Sequence, residues 1–191
     1  MTSRAFVALL RGINVGGRNP VAMPDLVDCL EAAGFADVRT HLASGNVLFT
    51  APGDRTSEAK LEAAVETALR ERFGFQVPTI VRSRDAFAAT IEQAPADHGS
   101  DSLRSDVFFL KAPLTAAEVL AEMPELRDGV DSIAPGPGAL YFSRVKARAT
   151  KTRIQKLMAM PVFAQMTVRS WKTATRLLEL LELLELLDDG T

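Results

Sequence analysis

The sequence predicts an α+β fold made of two ferredoxin-like units, each with the element order β-α-β-β-α-β. Two observations predict it. Apolar or β-branched runs alternate with amphipathic segments in this order twice along the 191 residues. The triplet Val-Arg-Ser also stands in both units at the step from the last predicted strand to the following helix, at 81–83 and 168–170. We therefore expect an internal duplication, with a first unit at 1–83, a connecting helix and polar linker at 84–103, and a second unit at 104–191.

The elements of the first unit follow from apolar runs and from the residues that end them. Two segments with apolar residues at helical spacing predict helices, which begin near Pro24 and Ser57 and end at Gly34 and Gly74. Pro78 marks the last strand as lying near a sheet edge or at its own start. The middle strands form a hairpin around Ala43-Ser44-Gly45. The four strands are predicted at Ala5–Leu10, Asp37–Leu42, Asn46–Thr50 and Gln76–Arg82.

A helix at 84–94 and a polar, helix-breaking stretch at 95–104 lead to the second unit. Thr115 and Glu118 have the spacing of a capping box, which begins a helix over Thr115–Leu126. A basic helix is predicted at Lys151–Met160, and a last helix runs from about Lys172 to Leu187. The strands of this unit are predicted at Asp106–Lys111, Ser132–Ile133, Ala139–Arg144 and Gln165–Ser170, with a turn at Pro135–Gly138.

The first strand of each unit is apolar on both of its faces, as in Ala5–Leu10. Strands of this kind are usually covered on both sides. We therefore expect the open face of the sheet to be covered rather than to stack RNA bases. The sequence also lacks the aromatic motif of RNA-recognition domains.

Composition limits the possible function classes. Apolar residues make up 47% and charged residues 24% of the chain, which is typical of a soluble globular protein, and the net charge of −2 argues against a general nucleic-acid binder. The sequence has no signal-peptide pattern and no uncharged run of 18 residues, so we expect a cytoplasmic protein without a membrane partner.

Cys29 lies in an apolar helical pattern that favours a buried thiol over a nucleophile. With His41 and His98 it makes no recognisable zinc site, so no metal is predicted.

A glycine-rich loop follows the first strand directly. Gly12–Asn19 reads G-x-x-x-x-G-R-N and comes close to the phosphate-binding pattern G-x-x-x-x-G-K-[ST]. Arg18 and Asn19 replace the lysine and the magnesium-binding hydroxyl, and Pro20 prevents the helix that a P-loop requires. Two interpretations stay open. The loop is either an anion cradle of backbone N–H groups or a tight turn that needs glycine for its own geometry.

Three motifs resemble one bacterial family. They read R-G-I-N-V-G-G at 11–17, S-G-N at 44–46 and T-V-R-S-W-K-T at 167–173. Together they are similar to the pattern of the family called domain of unknown function 1697, in which asparagine usually stands at the position of Ser170. The resemblance implies an α+β fold with two related halves and no known activity. The matching candidate ligand-binding residues are Arg11, Gly12, Asn14, Gly16, Gly17, Ser44, Asn46, Arg169, Trp171, Lys172 and Thr173.

Each motif also has a purely structural interpretation. Ser-Gly-Asn suits a hairpin turn, and Trp171 at a strand-to-helix corner suits core packing. Arg169 and Lys172 flank a helix N-terminus, where the helix dipole disfavours cations unless an anion bridges them to backbone N–H groups. We therefore expect a pocket for a small phosphate- or carboxylate-bearing ligand, where the Gly12–Gly17 loop, Asn46 and the Arg169–Lys172 corner converge.

Two other function classes remain as alternatives. A nucleic-acid-binding module would use the basic run at Lys146, Arg148, Lys151, Arg153 and Lys156 against a phosphate backbone. A structural or interaction protein would bind no ligand. Whether the chain is an enzyme is open, and no cofactor is assigned. Catalysis would be electrostatic, with Arg11 or Lys172 as the cation.

The last predicted helix carries more leucine than one buried face requires. Its glutamates recur every three residues in Leu177–Leu187, and leucines fill the remaining positions. Either the helix docks wholly onto its own domain, or its spare leucines form a homodimer contact.

Overall fold

Two four-stranded antiparallel sheets organise the fold, as the α+β prediction requires. The computed structural model describes residues 3–52 and 57–188. These residues divide into two units. Unit 1 contains the described residues up to Phe87 and those from Leu177 onward, and unit 2 contains Ala88–Arg176.

Unit 1 holds the sheet with the strand order β2-β3-β1-β4. Its strands are β1 (Ser3–Leu10), β2 (Ala36–His41), β3 (Asn46–Pro52) and β4 (Thr79–Ser83). The helices of this part of the chain are α1 (Met23–Ala32), α2 (Glu58–Phe73) and α3 (Arg84–Glu92).

Unit 2 holds the sheet with the order β6-β7-β5-β8. Its strands are β5 (Leu103–Leu110), β6 (Asp131–Gly136), β7 (Ala139–Val145) and β8 (Met166–Ser170). Its short helices are α4 (Ala116–Glu122) and α5 (Ile154–Met158), with 3₁₀ turns at Lys146–Lys151 and Pro161–Gln165. The last helix, α6, runs over Trp171–Asp188.

The two sheets share one topology. In each unit the first strand lies between the third and the fourth, and the second strand lies at an edge. This is the ferredoxin-like order of the split β-α-β motif, so the predicted fold class is confirmed. The registers also correspond, because Phe6 faces Phe49 and Ser83 in unit 1 while Asp106 faces Phe142 and Ser170 in unit 2.

The core of each unit lies between its sheet and its helices. In unit 1 the alternate residues Phe6, Ala8 and Leu10 pack with apolar side chains of α1 and α2. The intervening residues Val7 and Leu9 are fully buried as well, so β1 is covered on both faces as predicted. In unit 2 the corresponding cluster contains Phe108, Leu110, Val119, Leu140, Phe142, Ile154, Leu157 and Met166.

The helix predicted over Thr115–Leu126 ends at Glu122, and two further predicted elements of unit 2 also differ from the structure. The turn predicted at Pro135–Gly138 is shorter, because β6 continues through Gly136. Since β6 is an edge strand, Pro135 removes no interior ladder bond. The basic helix predicted at Lys151–Met160 is broken, because Asp131 accepts hydrogen bonds from Thr152 Oγ1 (2.6 Å) and Arg153 N (2.8 Å). These bonds separate the 3₁₀ turn from α5.

The C-terminal helix docks one row of leucines and exposes another. Leu177, Leu181 and Leu184 are buried, whereas Leu183 and Leu186 are 51% and 69% exposed. Within the described residues, no helix is long and apolar enough to cross a membrane.

Candidate functional site

The glycine-rich loop between β1 and α1 is a small hairpin. Val15 and Arg18 form an antiparallel bridge, in which Arg18 N–H donates to the Val15 carbonyl at 3.0 Å. Gly16 and Gly17 connect them with φ values of 58° and 74°. Two successive positive φ angles are typical of mirror-image hairpin turns, which favour glycine. The turn geometry therefore favours glycine at both positions.

Asn14 fixes this hairpin to its surroundings. Its Oδ1 accepts the N–H of Val21 at 2.8 Å, and its Nδ2 donates to the carbonyls of Val21 and Ala43, each at 2.9 Å. Asn19 adds a bond from its Nδ2 to the Gly12 carbonyl at 3.0 Å. Both donor hydrogens of the Asn14 amide are therefore used within the protein. Asn14 positions the loop, and its predicted contact with a ligand is not tested by this geometry.

The Ser-Gly-Asn motif is the hairpin between β2 and β3. Gly45 lies so close to β1 that an added Cβ would come within 2.8 Å of Leu10 Cβ, and its φ is 87°. The fully buried Asn46 donates from Nδ2 to the His41 carbonyl at 2.7 Å and to Ser44 Oγ at 3.3 Å. These contacts agree with the turn interpretation of the motif.

The first two motifs meet at one end of the unit 1 sheet. Asn14 reaches Ala43, and the N–H of Leu10 donates to the Gly45 carbonyl at 2.8 Å. Several residues are exposed at this end, and we define five of them as the glycine-loop surface: Gly12, Gly16, Gly17, Arg18 and Ser44. Arg11 is half-buried at the start of the loop, and burial lowers the pKa of its guanidinium.

Two backbone donors on the glycine-loop surface make no hydrogen bond within the described part of the chain. Within the described residues, the N–H groups of Gly16 and Gly17 donate no hydrogen bond. A Cβ added at Gly12, Gly16 or Gly17 would meet no other atom of the described chain within 4 Å. The space beside these glycines is therefore open to a ligand, and Arg18 stands next to it in the chain.

The third motif spans the end of β8 and the start of α6, in unit 2. Ser170 Oγ accepts the N–H of Thr173 at 3.2 Å and lies 2.9 Å from Thr173 Oγ1. Ser170 is therefore the N-cap of α6. Serine is among the strong N-cap residues, so the side chain at this position stabilises the start of α6.

The cations of the third motif lie in different environments. Arg169 is buried, burial lowers its pKa to about 10, and its Nη1 donates to the Val168 carbonyl at 2.8 Å. Lys172 is exposed on the first turn of α6. The predicted convergence of this corner with the glycine loop stays a prediction.

Trp171 packs inside unit 2. Its indole ring meets the ring of His98 edge-on, with centroids 4.8 Å apart and an interplanar angle of 88°. An added Cβ on Gly99 would overlap the indole ring, so Gly99 is required at this contact. The observed contacts match the packing interpretation of Trp171.

A buried polar chain in unit 2 was not predicted from the sequence. Ser105 accepts the Gly99 N–H at 2.9 Å, its Oγ lies 2.8 Å from Ser143 Oγ, and Ser143 Oγ lies 3.0 Å from His98 Nδ1. The arrangement that uses both hydroxyl protons runs from Ser105 through Ser143 to His98 Nδ1 and places the imidazole proton on Nε2. Within the described residues, this Nε2 has no hydrogen-bond partner. Burial lowers the pKa of His98, and the nearby charge of Asp97 acts in the opposite direction and raises it.

The described residues offer no cluster of three or more His, Cys, Asp or Glu side chains that could hold a metal ion. Cys29 is buried between α1 and α2. Burial raises the pKa of its thiol, and the charge of Arg72 acts in the opposite direction and lowers it. A buried thiol with a raised pKa is a poor nucleophile.

The chain is similar to known proteins over most of its length. The family model described as "Protein of unknown function (DUF1697)" matches residues 3–141. No curated protein matches the chain. Among solved structures, one described as "The structure of conserved bacterial protein SP0830 from Streptococcus pneumoniae" is 28% identical, with a TM-score of 0.82, over 94% of this chain and 99% of that chain.

Proposed function

Because the chain belongs to the DUF1697 family of proteins of unknown function, we propose its function from the geometry of the glycine-loop surface. The proposal is that this surface binds a small ligand through a phosphate or carboxylate group. The observation that carries it is the pair of N–H groups at the exposed Gly16 and Gly17, which have no acceptor among the described residues. Consecutive backbone N–H groups of this kind form concave sites for anions.

The charges around the loop favour the same ligand class. Arg18 is exposed directly after Gly17, and Arg11 is half-buried before Gly12. Hydrogen bonds from cations to an anionic oxygen contribute about 1.5–3 kcal/mol each. Asn14 holds the loop in one geometry, which reduces the entropy lost on binding.

A thermal-shift series tests the proposal with pyrophosphate, nucleotides, phosphosugars and citrate as probes. We expect at least one probe to raise the melting temperature of the wild type, and we expect Arg18→Ala and Arg11→Ala to reduce that rise. Arg70→Ala is the matched control, because Arg70 is an exposed arginine on α2. A rise that survives the loss of both Arg11 and Arg18 contradicts the proposed site.

Nucleic-acid binding is the competing function. Lys146, Lys151 and Lys156 are exposed on the basic segment of unit 2, whereas Arg153 pairs with Glu125 at 3.4 Å. Binding to several phosphates weakens steeply as salt rises from about 50 to 200 mM, and binding of one small anion does so far less. The salt dependence of any RNA or ligand affinity therefore separates the two. If no probe binds, the ligand-free structural role is favoured.

A homodimer through α6 is the proposed assembly. Leu183, Leu186 and Leu187 are exposed together near the end of the helix. Exposed apolar patches of this kind favour burial against a partner. Light scattering tests this, since Leu186→Lys should convert a dimer to a monomer, and a wild type that is monomeric at high concentration contradicts it.

Three broader expectations remain proposals that are independent of the site. They are the internal duplication, a bacterial cytoplasmic location, and domains at 1–83, 84–103 and 104–191. The shared strand order of the two sheets supports the duplication.

A further inference from the structure

Three charged residues lie on the core-facing side of the unit 2 sheet. Along β5, Arg104 and Asp106 alternate in phase with Phe108, which belongs to the core cluster. Arg144 lies opposite Arg104 in the ladder between β5 and β7. Residues two apart on a strand share a face, so Arg104 and Asp106 lie on the same face of β5 as the apolar Phe108. Charges at such positions break the binary pattern of a packed sheet and indicate a functional site.

Unit 1 fills two of the three corresponding positions with apolar side chains, while Arg4 occupies the position of Arg104. By register, Asp106 corresponds to Phe6 and Arg144 corresponds to Ala51. Phe6 is buried and stacks on Phe49, with ring centroids 5.8 Å apart, and Ala51 is buried too. The same fold thus carries the apolar Phe6 and Ala51 in unit 1 where unit 2 carries the charged Asp106 and Arg144.

The charges of unit 2 line an open cleft of about 370 Å³. Its far wall comes from the 3₁₀ turn and α5 through Ala149, Thr152 and Gln155, and its floor includes Phe108 and Val168. The cleft lies beside the helix that connects the third and fourth strands of unit 2. This helix, α5, has five residues, whereas its counterpart in unit 1, α2, has 16. Its volume lies within the range of small-molecule sites, about 300–1,000 Å³.

The cleft carries an excess of positive charge. Arg144 Nη2 lies 3.4 Å from Asp106 Oδ2. Arg104 lines the same cleft, so the lining contains two guanidinium groups and one carboxylate. Like charges directly opposite in an antiparallel ladder destabilise it, and Arg104 faces Arg144 in this way. An anion bound at the arginines would relieve this repulsion. The adjoining turn adds exposed lysines at Lys146 and Lys151.

We propose that this cleft is a second binding site, for a small molecule that joins one carboxylate or phosphate group to an apolar ring or short chain. The anionic group binds Arg104 beside the Asp106–Arg144 pair. The apolar part lies on Phe108, Val168 and Met158, which line the same cleft. The site belongs to unit 2 alone and does not depend on the glycine-loop surface.

A ¹H–¹⁵N NMR titration tests the proposal with four probes: phenyl phosphate, benzoate, inorganic phosphate and benzyl alcohol. We expect saturable shifts of the Thr152 and Gln155 amides with phenyl phosphate or benzoate, and the better of the two identifies the anionic group. Inorganic phosphate lacks the apolar part and benzyl alcohol lacks the charge, so each should bind more weakly. Arg104→Gln should weaken the better probe about tenfold or more.

Two further variants separate the cleft from general effects. Arg127→Gln removes the same charge from another exposed position of unit 2 and should leave binding unchanged. Ala149→Phe fills the cleft without changing its charge and should abolish binding. The proposal is overturned if neither phenyl phosphate nor benzoate shifts these amides, if Arg104→Gln or Ala149→Phe binds like the wild type, or if benzyl alcohol or inorganic phosphate binds equally well. Arg18→Ala, at the glycine-loop surface, should leave this titration unchanged.

Discussion

The side chain of Asn14 donates a 2.9 Å hydrogen bond to the carbonyl of Ala43 and so ties the glycine-rich loop to the Ser-Gly-Asn hairpin. The two residues are 29 positions apart, with Asn14 inside the R-G-I-N-V-G-G motif and Ala43 directly before the S-G-N motif. The bond therefore holds the loop of the first motif against the hairpin that contains the second.

Removal of the Asn14 amide should destabilise the protein although Asn14 is exposed. Asn14→Ala removes three hydrogen bonds, and we expect a loss of about 1–3 kcal/mol in the free energy of unfolding, measured with urea. Asn19→Ala removes one side-chain bond and should cost less. Equal stabilities of Asn14→Ala and the wild type would show that the loop is not held in this way.

Gly45→Ala should be much more damaging than Gly16→Ala. Both glycines have positive φ, but an added Cβ at Gly45 would lie 2.8 Å from Leu10 Cβ, whereas the space at Gly16 is open. Strain in φ costs about 1–2 kcal/mol at either site, and steric overlap in the core adds about 1–3 kcal/mol at Gly45. Melting temperatures of the two variants compare these costs, and equal losses would contradict the close packing of Gly45.

Stability should fall at acidic pH because of His98. Burial lowers its pKa below the ordinary value of 6.5, so the folded protein keeps the imidazole neutral where the unfolded chain binds a proton. This contribution is complete above the unfolded pKa and decreases as the pH falls below it. Between pH 7 and 5 the unfolding free energy of the wild type should fall more steeply than that of His98→Gln, by up to about 1.4 kcal/mol per pH unit.

The matched control for this prediction is His41→Gln, which removes the other imidazole and leaves the Ser105–Ser143–His98 chain intact. Urea denaturation at several pH values measures the slopes. Identical slopes for the wild type and His98→Gln would mean that His98 is not buried as a neutral group.

Local patterns were sufficient to predict the fold. The capping box at Thr115 and Glu118 begins α4 as expected, and the strand order follows from apolar runs separated by recognisable turns. The break in the predicted basic helix depends instead on Asp131, which lies 21 and 22 residues before its two partners. Hydrogen bonds between distant residues leave no periodic signal in a sequence.

The site was predictable only in part. Motifs identified the loop residues, but the sequence did not distinguish the role of Asn14 in shaping the loop from a role in binding. The contact of Ser143 with His98 spans 45 residues and became visible only in the structure. The charged row at Arg104 and Asp106 did carry a signal, because it interrupts the alternation of β5 at core-facing positions.

The central claim is that the N–H groups of Gly16 and Gly17 bind an anion, and an NMR titration of ¹⁵N-labelled protein with pyrophosphate tests it most directly. We predict saturable shifts of these two amides that are lost or strongly weakened in Arg18→Ala. The amides of Gly34 and Gly74, which already donate to backbone carbonyls, should not move. Gly16 and Gly17 amides that stay unshifted, or that shift equally in the wild type and Arg18→Ala, would contradict the account.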